Sequence, residues 1–92
     1  MSNYGESASI KTPEVGDVWV YKKDYKHKMS IIREYEVYQL NKNRACKSYD
    51  CIYILNNEIK NAKFLFDDLI EYYIYIGKAK GSINDLFEVQ DD

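Results

Sequence analysis

The stretch Ile70-Glu71-Tyr72-Tyr73-Ile74-Tyr75-Ile76-Gly77 decides the fold. It holds the highest local density of aromatic and β-branched residues in the chain, and such residues suit a pleated, packed surface. In an extended backbone Tyr72, Ile74 and Ile76 point to one face and Tyr73 and Tyr75 to the other. Both faces are apolar or amphipathic, which predicts a central strand stopped by Gly77. A helix competes with this reading, because a short apolar run is ambiguous by period alone.

The flanks have to fit that strand. Upstream, Ala62, Leu65, Phe66, Leu69, Ile70 and Tyr73 follow the spacing of an amphipathic helix, which Asn61 could cap. The alternative is a strand over about 61–66, a turn at Asp67-Asp68 and one helical turn before Tyr72. Both remain open, and the second is preferred because a small barrel needs another strand here. Downstream, Gly81–Val89 reads as a short helix with Ser82 as N-cap and Asp85 at N3. Ile83, Leu86 and Phe87 share one face of it and would plug the end of a barrel.

The N-terminal half reads as strands and turns. Residues 1–13 are small and polar, which predicts a frayed arm. Glu14-Val15-Gly16-Asp17 is a turn into a strand over Val18–Tyr21, with Trp19 as a core anchor. Lys22–Lys28 reads as a basic loop. Met29–Leu40 is a long strand whose apolar set changes face part-way, from Ile31 to Ile32 and on, which implies a bulge or strong bend. Asn41–Arg44 is a polar turn, and Lys47–Leu55 is the return strand, ended by Asn56-Asn57. The fold class is therefore mainly β with some α: a small, strongly bent five-stranded barrel of SH3-like type with a short C-terminal helix. The domain spans 14–92 behind the arm.

Composition bounds the function. Ninety-two residues with 46% hydrophobic and 15% aromatic content make one small domain. The net charge of −2 denies the chain a bulk basic footprint. Residues 1–48 carry nine Lys/Arg against six Asp/Glu, and residues 49–92 carry four against nine. No membrane span or signal peptide is expected, so the two thiols, Cys46 and Cys51, should stay reduced in the cytoplasm. A Cys46–Cys51 bridge across a hairpin is the lesser alternative.

Catalysis finds little to work with. The lone His27 lies among lysines and reads as a solvated loop residue. Asp67, Asp68 and Glu71 could imitate an acid–base pair but read better as a solvated face. One histidine and two oddly spaced cysteines fall short of a zinc site, and no cofactor is expected. Binding is the better expectation, and two surfaces are candidates. The first is for a protein partner: Tyr35 and Tyr38, from a surplus of tyrosines, with the acidic residues Asp67, Asp68, Glu71, Asp91 and Asp92. The second is for nucleic acid: Lys22, Lys23, Tyr25, Lys26 and Lys28, with Lys42 and Arg44 in a second basic turn, mixing cations and rings as strand binding requires.

Two segments carry a resemblance. Val15-Gly16-Asp17-Val18-Trp19 and the run Ile76–Val89 are similar in layout to short phage or mobile-element accessory proteins rich in Lys, Asn, Ile and Tyr. Many of those are small barrels, and some block host defence systems, CRISPR effectors included. The resemblance implies a non-enzymatic inhibitor or adaptor that occupies a surface of a host protein or protein–nucleic acid complex. It implies no site residues. Nucleic-acid binding by the basic loops is the alternative.

Overall fold

A computed structural model of the chain describes residues 11–81 and 87–90. The chain is mainly β, as its alternating apolar pattern requires. Five antiparallel strands form one sheet in the order β4-β3-β2-β1-β5. They are β1 (Asp17–Tyr21), β2 (Asp24–Gln39), β3 (Arg44–Leu55), β4 (Glu58–Leu65) and β5 (Tyr73–Lys78). One helix, α1 (Phe66–Tyr72), joins β4 to β5.

The bend expected in the long strand sits at Ile32. Ile31 pairs with Cys51 and Arg33 with Asp50, so Ile32 is the extra residue of a bulge. Before it, Met29 and Ile31 face the core. After it, the core face carries Glu34 opposite the buried Tyr49. The switch of face in the sequence is the bulge.

Bending brings the sheet's two edges together. Phe64 on β4 and Tyr73 on β5 belong to opposite edges, yet their rings are 5.2 Å apart. Helix α1 touches β3, β4 and β5 and covers the gap. Seven residues are too few for a helix to be stable alone. Leu69, its one buried residue, is what fastens it, since full burial of a leucine is worth about 2 kcal/mol. Asp67 and Asp68 in the first turn suit the positive end of the helix dipole. Trp19, Met29, Ile31, Tyr49, Cys51, Leu69 and Tyr73 form the core, so Trp19 is the anchor its sequence position suggested.

Several boundaries differ from the sequence reading. The deciding stretch is half helix, half strand: Ile70–Tyr72 end α1, and the strand begins at Tyr73. That strand is last in the sheet order and not central, because the chain returns through α1 to pair with β1. Gly77 does not stop it. Gly77 pairs with Val18, and its φ of 148° and the Val89 side chain, about 3.0 Å from where a Cβ would sit, explain why glycine is needed. Both readings of 58–71 hold a part of the answer: the strand is longer than expected, and Asp67-Asp68 open the helix instead of a turn. The turn Asn56-Asn57 has both residues at positive φ, 53° and 65°. That is the twist a two-residue hairpin favours.

The basic loop is mostly strand, with only Lys22-Lys23 as its turn. Arg44 is the first residue of β3, not part of the polar turn. Lys11 and Pro13, assigned to the arm, are attached to the domain: Pro13 is buried, and Lys11 reaches Asp17 at 3.2 Å. At the C-terminus, Phe87–Val89 are not helical. Val89 bridges Ala79 as an added strand residue, a pairing that satisfies backbone groups which a helix here would have left on the edge of β5. The rest of the expected helix, 82–86, lies outside the described residues, as do Asp91 and Asp92.

Candidate binding surface at the β1–β2 hairpin

Three features share one end of the sheet. Antiparallel pairing of Ser30 with Ile52 places the start of β2 beside the end of β3, and Tyr21 pairs with Tyr73 at the start of β5. The β1–β2 turn, the β3–β4 turn and the C-terminal end of α1 are thus neighbours. Lys22 N donates to Tyr72 O at 2.9 Å, tying the hairpin to the helix end.

His27 fixes the hairpin from behind. It is half-buried, not the solvated loop residue its lysine neighbours suggested, because the bent sheet folds three tyrosines around it. Its Nε2 lies 3.1 Å from the Tyr73 hydroxyl. The Tyr53 ring stands edge-on at 5.0 Å and Tyr21 at 6.3 Å. Burial raises the Tyr73 phenol above its ordinary value, so the hydroxyl keeps its proton at neutral pH and can donate to or accept from the imidazole.

The lysines on this hairpin have no carboxylate partner among the described residues. All thirteen Lys and Arg of the chain lie among the described residues. Most reach a carboxylate within 4 Å; Lys22, Lys23, Lys26 and Lys28 reach none among the described residues. The nearby Asp24 spends an oxygen on the backbone N–H of Lys26, at 3.1 Å. Tyr25, between these lysines, is 63% exposed.

The two basic turns do not form one patch. Lys42 and Arg44 stand at the far end of β2, where both face Asp67, at 3.5 and 3.6 Å. A nucleic-acid candidate pair and a protein-partner candidate thus neutralise one another. They rim a groove of about 340 Å³ that Gln39, Cys46, Leu65 and Phe66 also line. Asp68 and Glu71 remain exposed on α1 without an ion pair among the described residues.

The tyrosine candidates separate as well. Tyr35 is engaged within the sheet: its hydroxyl donates to Asp50 at 3.2 Å, and the Arg33 and Lys63 cations lie 5.0 and 5.6 Å from its ring. The Lys63 ammonium, at 3.0 Å, holds the Asp50 carboxyl below its usual range. Tyr38 is exposed, with its hydroxyl on Asn43.

A polar centre that the sequence did not mark is Asp17, fully buried at the start of β1. Its carboxylate accepts from Glu14 N at 2.9 Å and from the Trp19 indole at 3.4 Å, and pairs with Lys78 at 2.7 Å. Asp17 and Glu14 together push the Lys78 ammonium well above its ordinary value. The only signal in the sequence was an aspartate two residues before a tryptophan in a turn, too common a pattern to single out. Its work is structural: it pins the entry of β1 to the end of β5.

Comparison with family models, with curated proteins and with solved structures finds nothing that matches this chain. No described helix is long and apolar enough to cross a membrane. Among the described residues, no three His, Cys, Asp or Glu side chains converge as metal ligands.

Proposed function

We propose that this chain is a non-catalytic binding module that attaches to nucleic acid through the β1–β2 hairpin. One observation carries the reading: the lysines without a carboxylate partner among the described residues, Lys22, Lys23, Lys26 and Lys28, all lie on that hairpin. A paired cation has already spent its field, whereas an unpaired one is free to replace the counterions of a phosphate backbone. A molecule of net charge −2 can bind a polyanion only where its positive charge is concentrated in this way. The test is fluorescence anisotropy of a labelled oligonucleotide across a salt series. Binding should weaken with a log–log slope of roughly −3, the release expected for about four phosphate contacts. Lys26→Glu/Lys28→Glu should abolish it, and Lys42→Glu/Arg44→Glu should leave it largely intact. Salt-independent binding, or none, overturns the reading.

A second reading keeps the partner a host protein, as for the phage-type inhibitors and adaptors that the sequence resembles. It is favoured by Ile54, Leu55 and Ile59, which are exposed around the β3–β4 turn beside the same end of the sheet, with Ile54 and Ile59 directly cross-strand. It requires that one stoichiometric protein be retained from a cell lysate at moderate salt, and that Ile54→Lys/Ile59→Lys release it. Retention that survives this double variant counts against it.

A further inference from the structure

We infer that the strand bound at this hairpin is single, with its phosphates on the lysines and its bases stacked on Tyr25 and Tyr72. The inference rests on the nucleic-acid reading above and adds the form of the ligand. Tyrosines in this fold find partners. Tyr49 and Tyr73 are buried in the core, and Tyr21, Tyr53 and Tyr75 pack against it. Tyr35 and Tyr38 hold hydrogen bonds to Asp50 and Asn43. Two described tyrosines have side chains with neither burial, nor a hydrogen bond, nor a ring or cation contact among the described residues: Tyr25 and Tyr72, which are 63% and 48% exposed.

Both stand at the end of the sheet that carries the unpaired lysines. Tyr25 is in the lysine run itself. Tyr72 is held beside it by the backbone bond from Lys22 N to Tyr72 O at 2.9 Å. Unpartnered cations and unpartnered rings are therefore concentrated in one place, on two segments that lie far apart in the chain. Phosphate contacts alone would call for the lysines and leave the rings unexplained. An exposed aromatic ring offers a flat apolar surface to a flat apolar ligand, and a nucleic-acid base presents its face only where it is unpaired and splayed from its neighbours. A duplex buries those faces in its own stack. Stacking is tolerant of base identity because every base has a π-face, so binding should show little sequence preference.

The experiment compares one short fluorescent oligonucleotide as a single strand and annealed to its complement, by anisotropy at fixed salt. The single strand should bind about tenfold tighter or more. Tyr25→Ala and Tyr72→Ala should each weaken it by between about five- and a hundredfold, the range for losing one stacked base. Their salt slopes should match that of the parent chain, because no phosphate contact is removed, and Tyr25→Phe should bind as the parent does. Both tyrosines are exposed, so Trp19 fluorescence, which reports the buried core, should not change in these variants. Equal or tighter duplex binding overturns the inference. So does unchanged affinity in both alanine variants while Lys26→Glu/Lys28→Glu still abolishes binding, which leaves the hairpin as a phosphate site without stacking. Failure of the parent chain to bind either form removes the inference and the reading beneath it together.

Discussion

The imidazole of His27 and the hydroxyl of Tyr73 lie 3.1 Å apart although 46 residues separate them in the chain. The contact joins β2 to β5 across the core side of β1. It also anchors the segment that presents the hairpin lysines. Tyr73→Phe removes the hydrogen bond and keeps the ring, so it should cost about 1 kcal/mol of unfolding free energy. His27→Ala also removes the packing against Tyr21 and Tyr53 and should cost about 2 kcal/mol. Urea denaturation followed by Trp19 fluorescence measures both. A His27→Ala variant as stable as the parent would mean the cluster does not hold the hairpin.

Asp17 should be the most sensitive polar residue. It is fully buried, and the Lys78 ammonium sits at 2.7 Å. Removing one member of a buried pair strands the groups that faced it. Asp17→Ala should therefore destabilise by about 3 kcal/mol, the lower end of that range, because Lys11 and Lys78 can turn partly to water. Asp17→Asn keeps the acceptor for Glu14 N and should lose less. Chemical denaturation of the two variants gives the order.

Acid should loosen the domain before neutral or mildly alkaline pH does. The hydrogen bond from Lys63 lowers the Asp50 carboxyl below its ordinary value of 3.8. The hydrogen bond from Lys78 lowers Glu14 below 4.5. In both cases the folded state holds the proton less tightly than the unfolded chain does. The stabilisation is thus complete above those ordinary values and is lost as pH falls below them, through the lowered folded-state values. The thermal midpoint should decline below about pH 4.5, and Lys63→Met should flatten that decline. A midpoint unchanged down to pH 3 would show that these pairs contribute nothing.

The two thiols should differ in their access to reagent. Burial pushes the Cys51 thiol up to about 12, and its side chain is wholly enclosed. Cys46 is half-buried beside Gln39, to whose Oε1 its Sγ donates. A thiol-specific chromophoric reagent at pH 8 should consume one equivalent quickly and the second only in denaturant. The Cys46–Cys51 bridge should not form. On one strand, five residues apart, the two side chains point to opposite faces with roughly 16 Å between their backbones, beyond disulfide reach.

Gly77→Ala should cost about 1–3 kcal/mol by crowding and backbone strain together. Its new Cβ would meet Val89 at about 3.0 Å, and φ at this position is 148°. Thermal denaturation of this variant against the parent decides it.

Local chemistry written in the sequence came through where it depended on neighbours. The face switch after Ile31 became the bulge at Ile32, because side chains alternate strictly along a strand and only an extra residue exchanges its two faces. Trp19 went to the core, where its ring meets that of Tyr75 edge-on at 5.8 Å. The reading of 58–71 stayed divided because its first part packs against β3 as a strand and its last part packs Leu69 into the core as a helix. Short apolar segments take whichever conformation buries them.

The lysines of the β1–β2 hairpin, with Tyr25 among them, were legible as a basic and aromatic run from residue types alone; Tyr72 was not, because it lies far along the chain and reaches this end of the sheet only through the fold. Which charges remained free was a matter of tertiary structure. Lys42 and Arg44 look like Lys26 and Lys28 in the sequence, but folding brings Asp67 against the first pair and leaves the second without a carboxylate among the described residues. His27 became half-buried for the same reason, when Tyr21, Tyr53 and Tyr73 closed around it from three strands. The sequence by itself determined a small, bent, mainly β domain, because burial of alternating apolar residues is a local demand. Only the tertiary structure decided which cations and which tyrosines stay unspent, because electrostatic and ring partners are found through space, at a few ångströms, by residues far apart in the chain.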